Sequence, residues 1–412
     1  MAKIIPFKAV RPTRDKVSLV ASRSYQTYTQ EERDARLEYN PFSFLHIVNP
    51  GYKYGKEVMG PERYHLVRNR YLEFKEDEIF VQDKASAYYV YKIVNREKQV
   101  FNGIVAAVSV EDYEKNIIKK HEDTLEYRER LFTDYLKTVG FNAEPVLLTY
   151  PDDPDLKEII LEAQKKRAEF EFTTTYRDTH YLWVVDDKDR VKKIRQAFDK
   201  VQDIYIADGH HRSSSSCLLA QELAVEDPEN TCKECHHYFM GYLIPESELR
   251  IYEFNRLVKG LNGLTKDEFL FQLDAIYRIE NRGTEHYQPS KKHHFSMYLD
   301  GEYYSLYLRK NRYKIKNPLD GLDTHILYKT ILEPILGITD LRNDKRIEYS
   351  HNKNHFVNVK SRINSGEFTV AFGMIPTTME ELKAIADAGL TMPPKSTFIV
   401  PKMRSGVTIY EF

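Results

Sequence analysis

The sequence predicts a mixed α/β protein with mixed sheets and flanking helices. Three observations predict it. β-like runs come in neighbouring pairs, as in Ala87–Val94 (AYYVYKIV) and Val100–Val110, joined by the turn residues Asn95–Gln99. Helical periodicities occur between such runs without the strand–helix–strand rhythm of a doubly wound sheet. And residues 204–219 read IYIADGHHRSSSSCLL, a short apolar strand, a glycine and a helix in immediate succession.

The length of 412 residues suggests two or three domains, with expected bounds at 1–150, 151–265 and 266–412. Basic and acidic residues balance, 61 against 62. Bulk attraction to nucleic acid or to an anionic membrane is therefore not expected, although a local basic site is compatible with that balance. No stretch approaches about 18 apolar residues, and the opening MAKIIPFKAVRP lacks the apolar core of a secretion signal. Three cysteines make no disulfide framework, so the cytoplasm is the expected compartment. A homodimer is left open.

Ile4–Arg11 reads as a strand ending at Pro12, and Thr13–Val20 as charged loop. Ala21–Thr29 (ASRSYQTYT) is a polar and aromatic turn whose Ser22, Arg23 and Ser24 line either a pocket or the surface, before an acidic helix from Gln30 to Leu37. Phe42–Ile47 reads as a strand ahead of the Asn49–Pro50–Gly51 turn. Pro61–Ile79 reads as a helix carrying Tyr64, Tyr71 and Phe74. Glu111–Thr138 reads as one long helix stopped by Gly140, with His121 and Glu122 on its charged face. That pair is either part of a solvated surface laced by i,i+4 contacts such as Glu126–Arg130, or a histidine–carboxylate pair for proton transfer.

Pro145–Tyr150 is a strand, Leu156–Lys166 a helix, and Ala168–Thr175 with His180–Val185 an antiparallel pair that places the single Trp183 in the core. Arg190–Lys200 is a helix feeding the Ile204 strand. Cys232–Lys233–Glu234–Cys235–His236–His237 offers zinc-type ligands, but no second ligand pair follows at zinc spacing. His236–Leu243 and Arg250–Phe254 enter strands.

Leu264–Leu273 is a helix opened by Thr265, with Glu268 at capping-box spacing. Ile276–Arg282, His294–Leu299 and Tyr303–Arg309 are strands, the last two around the Asp300–Gly301 turn. Leu322–Leu336 is helical, with Asp323 near its start, and Lys345–Tyr349 and Val370–Met374 are extended. Thr378–Ala388 is an amphipathic helix. The tail carries Met392–Thr397 (MPPKST) and Pro401–Lys402, a proline-stiffened loop. It either presents lysines and hydroxyls to an anion or forms a C-terminal hairpin with solvated lysines.

The chemistry concentrates at the strand–glycine–helix junction. Amide groups and the positive end of a helix dipole meet there, which suits an anion. Asp208, His210, His211 and Arg212 crowd the same point, and a guanidinium binds two phosphate oxygens at once. The expected anion ligands are Gly209, Arg212 and Ser213, joined by Arg256, Lys395, Ser396, Thr397 and Lys402. The expected catalytic set is His121, Glu122, Asp208, His210 and His211, with Asp208 holding Mg²⁺ or orienting the histidines. The alternative is a capped junction whose polar groups satisfy one another. The Gly-Lys-Ser/Thr loop of a P-loop enzyme is missing.

These residues resemble a bacterial and archaeal family, domain of unknown function 1015. The resemblance runs through Pro6–Phe7, Arg11–Pro12, His121–Glu122–Thr124, Ala207–Arg212 (ADGHHR), Leu332–Ile338 (LEPILGI), Met392–Thr397 and Pro401–Lys402. Two departures stand out. Many relatives carry Pro-Pro-Tyr-Asp where this chain has Ser22–Gln26, so a carboxylate is missing, and Thr-His-Arg where it has Phe254–Asn255–Arg256, so a histidine is missing. The resemblance implies a ParB-like core, and its Asp-Gly-His-His-Arg run is similar to that of free-serine kinases. It further implies a small amino-acid metabolite, since some members are encoded beside serine-biosynthesis genes.

The function expected from the junction and the resemblance is a nucleotide-dependent phosphotransferase, using ATP or ADP with Mg²⁺ on a small hydroxyl metabolite, serine or phosphoserine. A phosphoester hydrolase would use the same cradle with water as acceptor. A ParB-like nucleotide- or nucleic-acid-binding regulatory module would show a concentrated basic surface and a helix-turn-helix, and neither stands out here. In the first two readings the partner is a nucleotide or a small phosphorylated metabolite.

Overall fold

The computed structural model describes residues 2–226, 236–351 and 356–412. The chain forms two compact units, the first Met1–Lys120, Thr124–Leu249 and Pro401–Phe412, the second His121–Asp123 and Arg250–Val400. These bounds differ from the expected cuts at 150 and 265. Strand Val146–Tyr150 lies between Ile204–Asp208 and Tyr238–Pro245 in one sheet, so residue 150 sits inside a core rather than at its border.

The first unit is built on a nine-stranded mixed sheet. Its spatial order is 118–119, 204–208, 146–150, 238–245, 100–109, 88–94, 179–185 and 170–173, with Ile4–Ile5 added against the 100–109 strand. The expected hairpin pairs Tyr88–Val94 antiparallel with Val100–Ser109, and both strands are almost continuously buried, as a sheet covered on two faces requires. Val90, Ile104, Leu148 and Ile206 form its interior, together with Leu156, Ile160, Ile194, Phe198 and Ala220 from the helices Pro154–Gln164, Lys188–Phe198 and His210–Glu226. Trp183 joins this core and donates its Nε1–H to the Lys166 carbonyl at 2.9 Å. A separate cluster gathers Val67, Tyr71 and Phe74 of helix Gly60–Glu76 against Phe80 and Phe141.

Two expected elements differ. Residues Leu45–Val48 are helical rather than extended, because Asn40 Oδ1 accepts from Phe42 N and Ser43 Oγ from Leu45 N, local bonds that compete with a strand. The long helix is two, Val110–Glu114 and Glu126–Val139. Asn116 turns at φ 56°, and Ile118–Lys119 becomes a strand parallel to Ile204–Tyr205, with Ile118 wholly buried. His121 and Glu122 therefore sit on connecting backbone and not on a helix face.

The second unit is a six-stranded antiparallel sheet in the order 277–283, 302–308, 294–299, 370–373, 255–258 and 347–350. Phe295, Met297, Leu306 and Phe372 on one face pack with Phe269 and Leu273 of helix Lys266–Asp274 and with Ile326, Leu327 and Ile331. The helical run expected over 322–336 is α over Asp323–Leu327 and π over Tyr328–Leu332. Asp300 and Gly301 both take positive φ, 51° and 81°, as a two-residue hairpin turn demands.

Helices Lys266–Asp274 and Met379–Asp387 open with full capping boxes, Thr265 with Glu268 and Thr378 with Glu381. Thr378→Ala removes the acceptor for Glu381 N and is expected to cost about 1 kcal/mol. Denaturant melts check this, and an unchanged midpoint would show that the cap contributes nothing.

The Cys232–Cys235 pair lies outside the described residues. Among the described residues no group of three or more His, Cys, Asp or Glu side chains could hold a metal ion, and no helix is long and apolar enough to cross a membrane.

Candidate functional site

Strand Ile204–Asp208 is buried through Ala207, parallel to Ile118–Lys119 on one side and antiparallel to Val146–Tyr150 on the other. Its register slips between Ile206 and Asp208, a bulge that redirects the last residue of the strand. Gly209 then turns the chain at φ 108°, a conformation in which a side chain is strained. Helix His210–Glu226 begins at the next residue.

Arg212 closes the turn. Its guanidinium folds back over the glycine so tightly that a Cβ at position 209 would lie 3.0 Å from Nη2. Nη2 donates to Asp208 Oδ2 at 2.9 Å, and Nη1 to the Pro145 carbonyl at 2.5 Å. Lys402 Nζ stands 3.0 Å from Asp208 Oδ1. One carboxylate thus faces two cations. Backbone bonds between Ser405 and Ser22, in both directions, hold the tail that delivers Lys402, and Ser405 Oγ donates to Glu144 beside Pro145.

Arg404 was not singled out from the sequence. It is buried and donates from Nη2 to Asp178 Oδ2 at 3.1 Å, with its Nε 3.5 Å from His180 Nε2. His180 Nδ1 meets the Tyr91 hydroxyl at 3.0 Å. Burial and the Arg404 charge push this imidazole down to about 3, so it stays neutral and braces the tail. The faint sequence signal was a third cation following Lys395 and Lys402.

The serine run serves the helix. Ser213 Oγ donates to Gly209 O, Ser215 Oγ to His211 O and to Glu129 O, and Ser216 Oγ to Arg212 O. Thr133 returns a bond to Ser215 O, so small hydroxyl side chains let helix Glu126–Val139 approach closely. Ser213, expected on the anion, is wholly buried and spends its proton on the turn carbonyl. His210 is buried and His211 half-buried at the start of the helix. With Arg212 they load one helix N-terminus with three basic side chains, where the dipole repels cations and attracts anions.

Asp208 is the residue expected to hold Mg²⁺ or to orient the histidines. Both its oxygens face cations, and among the described residues no second and third acidic or imidazole ligand converge with it.

The remaining expected residues belong to the second unit. Arg256 lies on strand Asn255–Val258 and is 2% exposed. Its Nη2 donates to the Lys395 carbonyl at 3.1 Å. Ser396 is buried, its Oγ donating to Pro393 O at 2.7 Å and meeting Thr324 Oγ1 at 2.9 Å, while Thr397 is half-buried. The His121 carbonyl accepts from Met392 N at 2.8 Å, and Thr391 donates to Asp123. The structure therefore brings His121 and Glu122 to the 391–397 loop, and Asp208, Arg212 and Lys402 to the junction.

The sequence profile of the family Protein of unknown function (DUF1015) matches residues 4–325. Among curated proteins nothing matches. Solved structures resemble the chain distantly. A free serine kinase in complex with AMP is 13% identical, with 74% of this chain and 92% of that chain covered and a TM-score of 0.34. SbnI with C-terminal truncation from Staphylococcus aureus is 14% identical over 74% and 85%, with a TM-score of 0.38. A conserved hypothetical protein from Pyrococcus furiosus is 13% identical over 74% and 94%, with a TM-score of 0.34.

Proposed function

We propose that this chain, which belongs to the DUF1015 family, is a nucleotide-dependent phosphotransferase acting on a small hydroxyl metabolite, with serine as the first candidate acceptor. The observation that carries the reading is the loading of one helix start with His210, His211 and Arg212, beside Lys402 and a glycine turn. Cations at a helix N-terminus oppose its dipole, and a phosphoryl group reverses the sign of that interaction. Arg212 and the first-turn amides would hold the transferring phosphoryl oxygens, with Lys402 neutralising the charge that grows on the leaving oxygen. Displacing Asp208 from either cation makes room for the ligand.

In the transfer, the acceptor oxygen forms a bond to the terminal phosphorus while the bond to the bridging oxygen breaks, releasing the shortened nucleotide. The hydroxyl proton passes to His210 or His211 at the same helix start.

The test incubates the full chain with ATP or ADP, Mg²⁺ in the buffer and serine, and follows phosphoserine by mass spectrometry. We expect nucleotide-dependent phosphoserine, with His210→Gln or His211→Gln lowering turnover about 100-fold or more. Phosphate release from phosphoserine without nucleotide would replace the reading by a hydrolase, and nucleotide binding without turnover by a ParB-like regulatory module.

A further inference from the structure

Arg256 carries a charge into the interior of the second unit. Its Nη1 donates to the Phe254 carbonyl at 2.5 Å and lies 3.5 Å from Met374 Sδ, its Nη2 donates to Lys395 O, and the Tyr349 ring centroid is 5.7 Å away. None of these partners is an anion. Among the described residues neither Arg256 nor Lys395 has an ion pair. Burial pushes the guanidinium down to about 10, against the weaker opposing pull of Tyr349 and Glu253.

The residue whose carbonyl Arg256 binds is itself a cation, and it is exposed. Lys395 Nζ lies 5.6 Å from the Phe254 ring centroid. Its backbone takes φ 57°, a strained conformation for lysine that glycine adopts without cost. The strain is held by Arg256 on the Lys395 carbonyl and by Ser396, bonded to Pro393 and Thr324. Buried charges are ordinarily paired, and carbonyl dipoles replace only part of a counter-ion. Arg256 is thus buried with no ion pair among the described residues, and the exposed Lys395 stands on a strained turn whose carbonyl Arg256 holds.

We propose that the second unit carries an anion-binding site of its own, in which Arg256 and Lys395 hold the carboxylate or phosphate group of a small molecule. A guanidinium provides the forked, two-oxygen contact common to both groups, and the ammonium a second charge. The site needs no phosphoryl transfer at Gly209, so it stands or falls separately.

Calorimetry on the full Arg212→Ala chain, which lacks the junction's guanidinium, tests it with inorganic phosphate in one arm and succinate in the other. We expect saturable binding of at least one probe, the tighter one identifying the group. Adding Arg256→Met should weaken it at least tenfold with the melting temperature unchanged or raised, since an apolar chain replaces an uncompensated charge. Lys395→Gly, which relieves the backbone strain, should melt higher and bind at least threefold more weakly, so a folding failure of the first variant leaves a second readout. No binding to Arg212→Ala, or binding that neither substitution weakens, overturns the proposal. So does a parent chain in which Arg212→Ala and Arg256→Met each abolish binding, because the two would then serve a single site.

Discussion

Arg212→Ala is expected to lower the affinity for a phosphoryl ligand by about 2–5 kcal/mol, roughly 30- to 5,000-fold, while the chain stays folded. Within the protein the guanidinium makes two bonds, to Pro145 O and to Asp208, and its truncation costs about 1–2 kcal/mol of stability for them. Lys402 remains beside Asp208, so the carboxylate is not stranded. Gly209→Ala reaches the same end by another route. Its methyl group would press on the Arg212 guanidinium and would have to be carried at φ 108°, so the charge survives but is moved. Calorimetry with ATP, ADP and inorganic phosphate, beside a melting curve, reads both variants. Equal affinity in Arg212→Ala and parent would refute the cradle. Joint collapse of binding and melting would make Arg212 a structural pair that closes the turn.

The junction was legible because everything that makes it is local. An apolar run, a glycine and a helix start lie within a few residues, and each follows from backbone preference. Lys402 was visible only as a lysine in a stiff loop. Its place beside Asp208 depends on Ser405 pairing with Ser22, a contact between the two ends of the chain that no local pattern encodes. The Glu111–Thr138 stretch shows the opposite failure. Its charge spacing suits a helix, yet the sheet needs Ile118 beside Ile204, and tertiary burial overrode propensity. Ser213 was expected on the anion, and the serines after it carry the same polar hydroxyl. That their protons go to carbonyls one helical turn back, and that Glu126–Val139 packs on them, appears only in three dimensions. Arg256 was noticed as a cation, but its lack of a carboxylate partner is a property of the packed interior.

The second large effect concerns Asp323 and pH. The side chain is 1% exposed at the start of helix Asp323–Leu327, where Oδ1 accepts from His293 N at 2.9 Å and Oδ2 has no partner among the described residues. The nearby Lys292 is already engaged by Glu381 at 2.5 Å. Burial pushes the carboxyl from its ordinary 3.8 up to about 6. The folded chain therefore keeps a proton that the unfolded chain releases between these values. Its stabilising contribution is complete below pH about 4 and is lost as pH rises to about 6, leaving a penalty of about 3 kcal/mol above that. Asp323→Asn retains an acceptor for His293 N and removes the penalty. At pH 7.5 the variant should melt about 6–12 °C higher in the transition that reports the second unit. The difference should shrink toward zero by pH 4. Melting curves of parent and variant across pH 4–8 decide it: a constant offset, or a variant that melts lower at pH 7.5, would mean that Asp323 is ionised without penalty and that its unpartnered oxygen is balanced by another group.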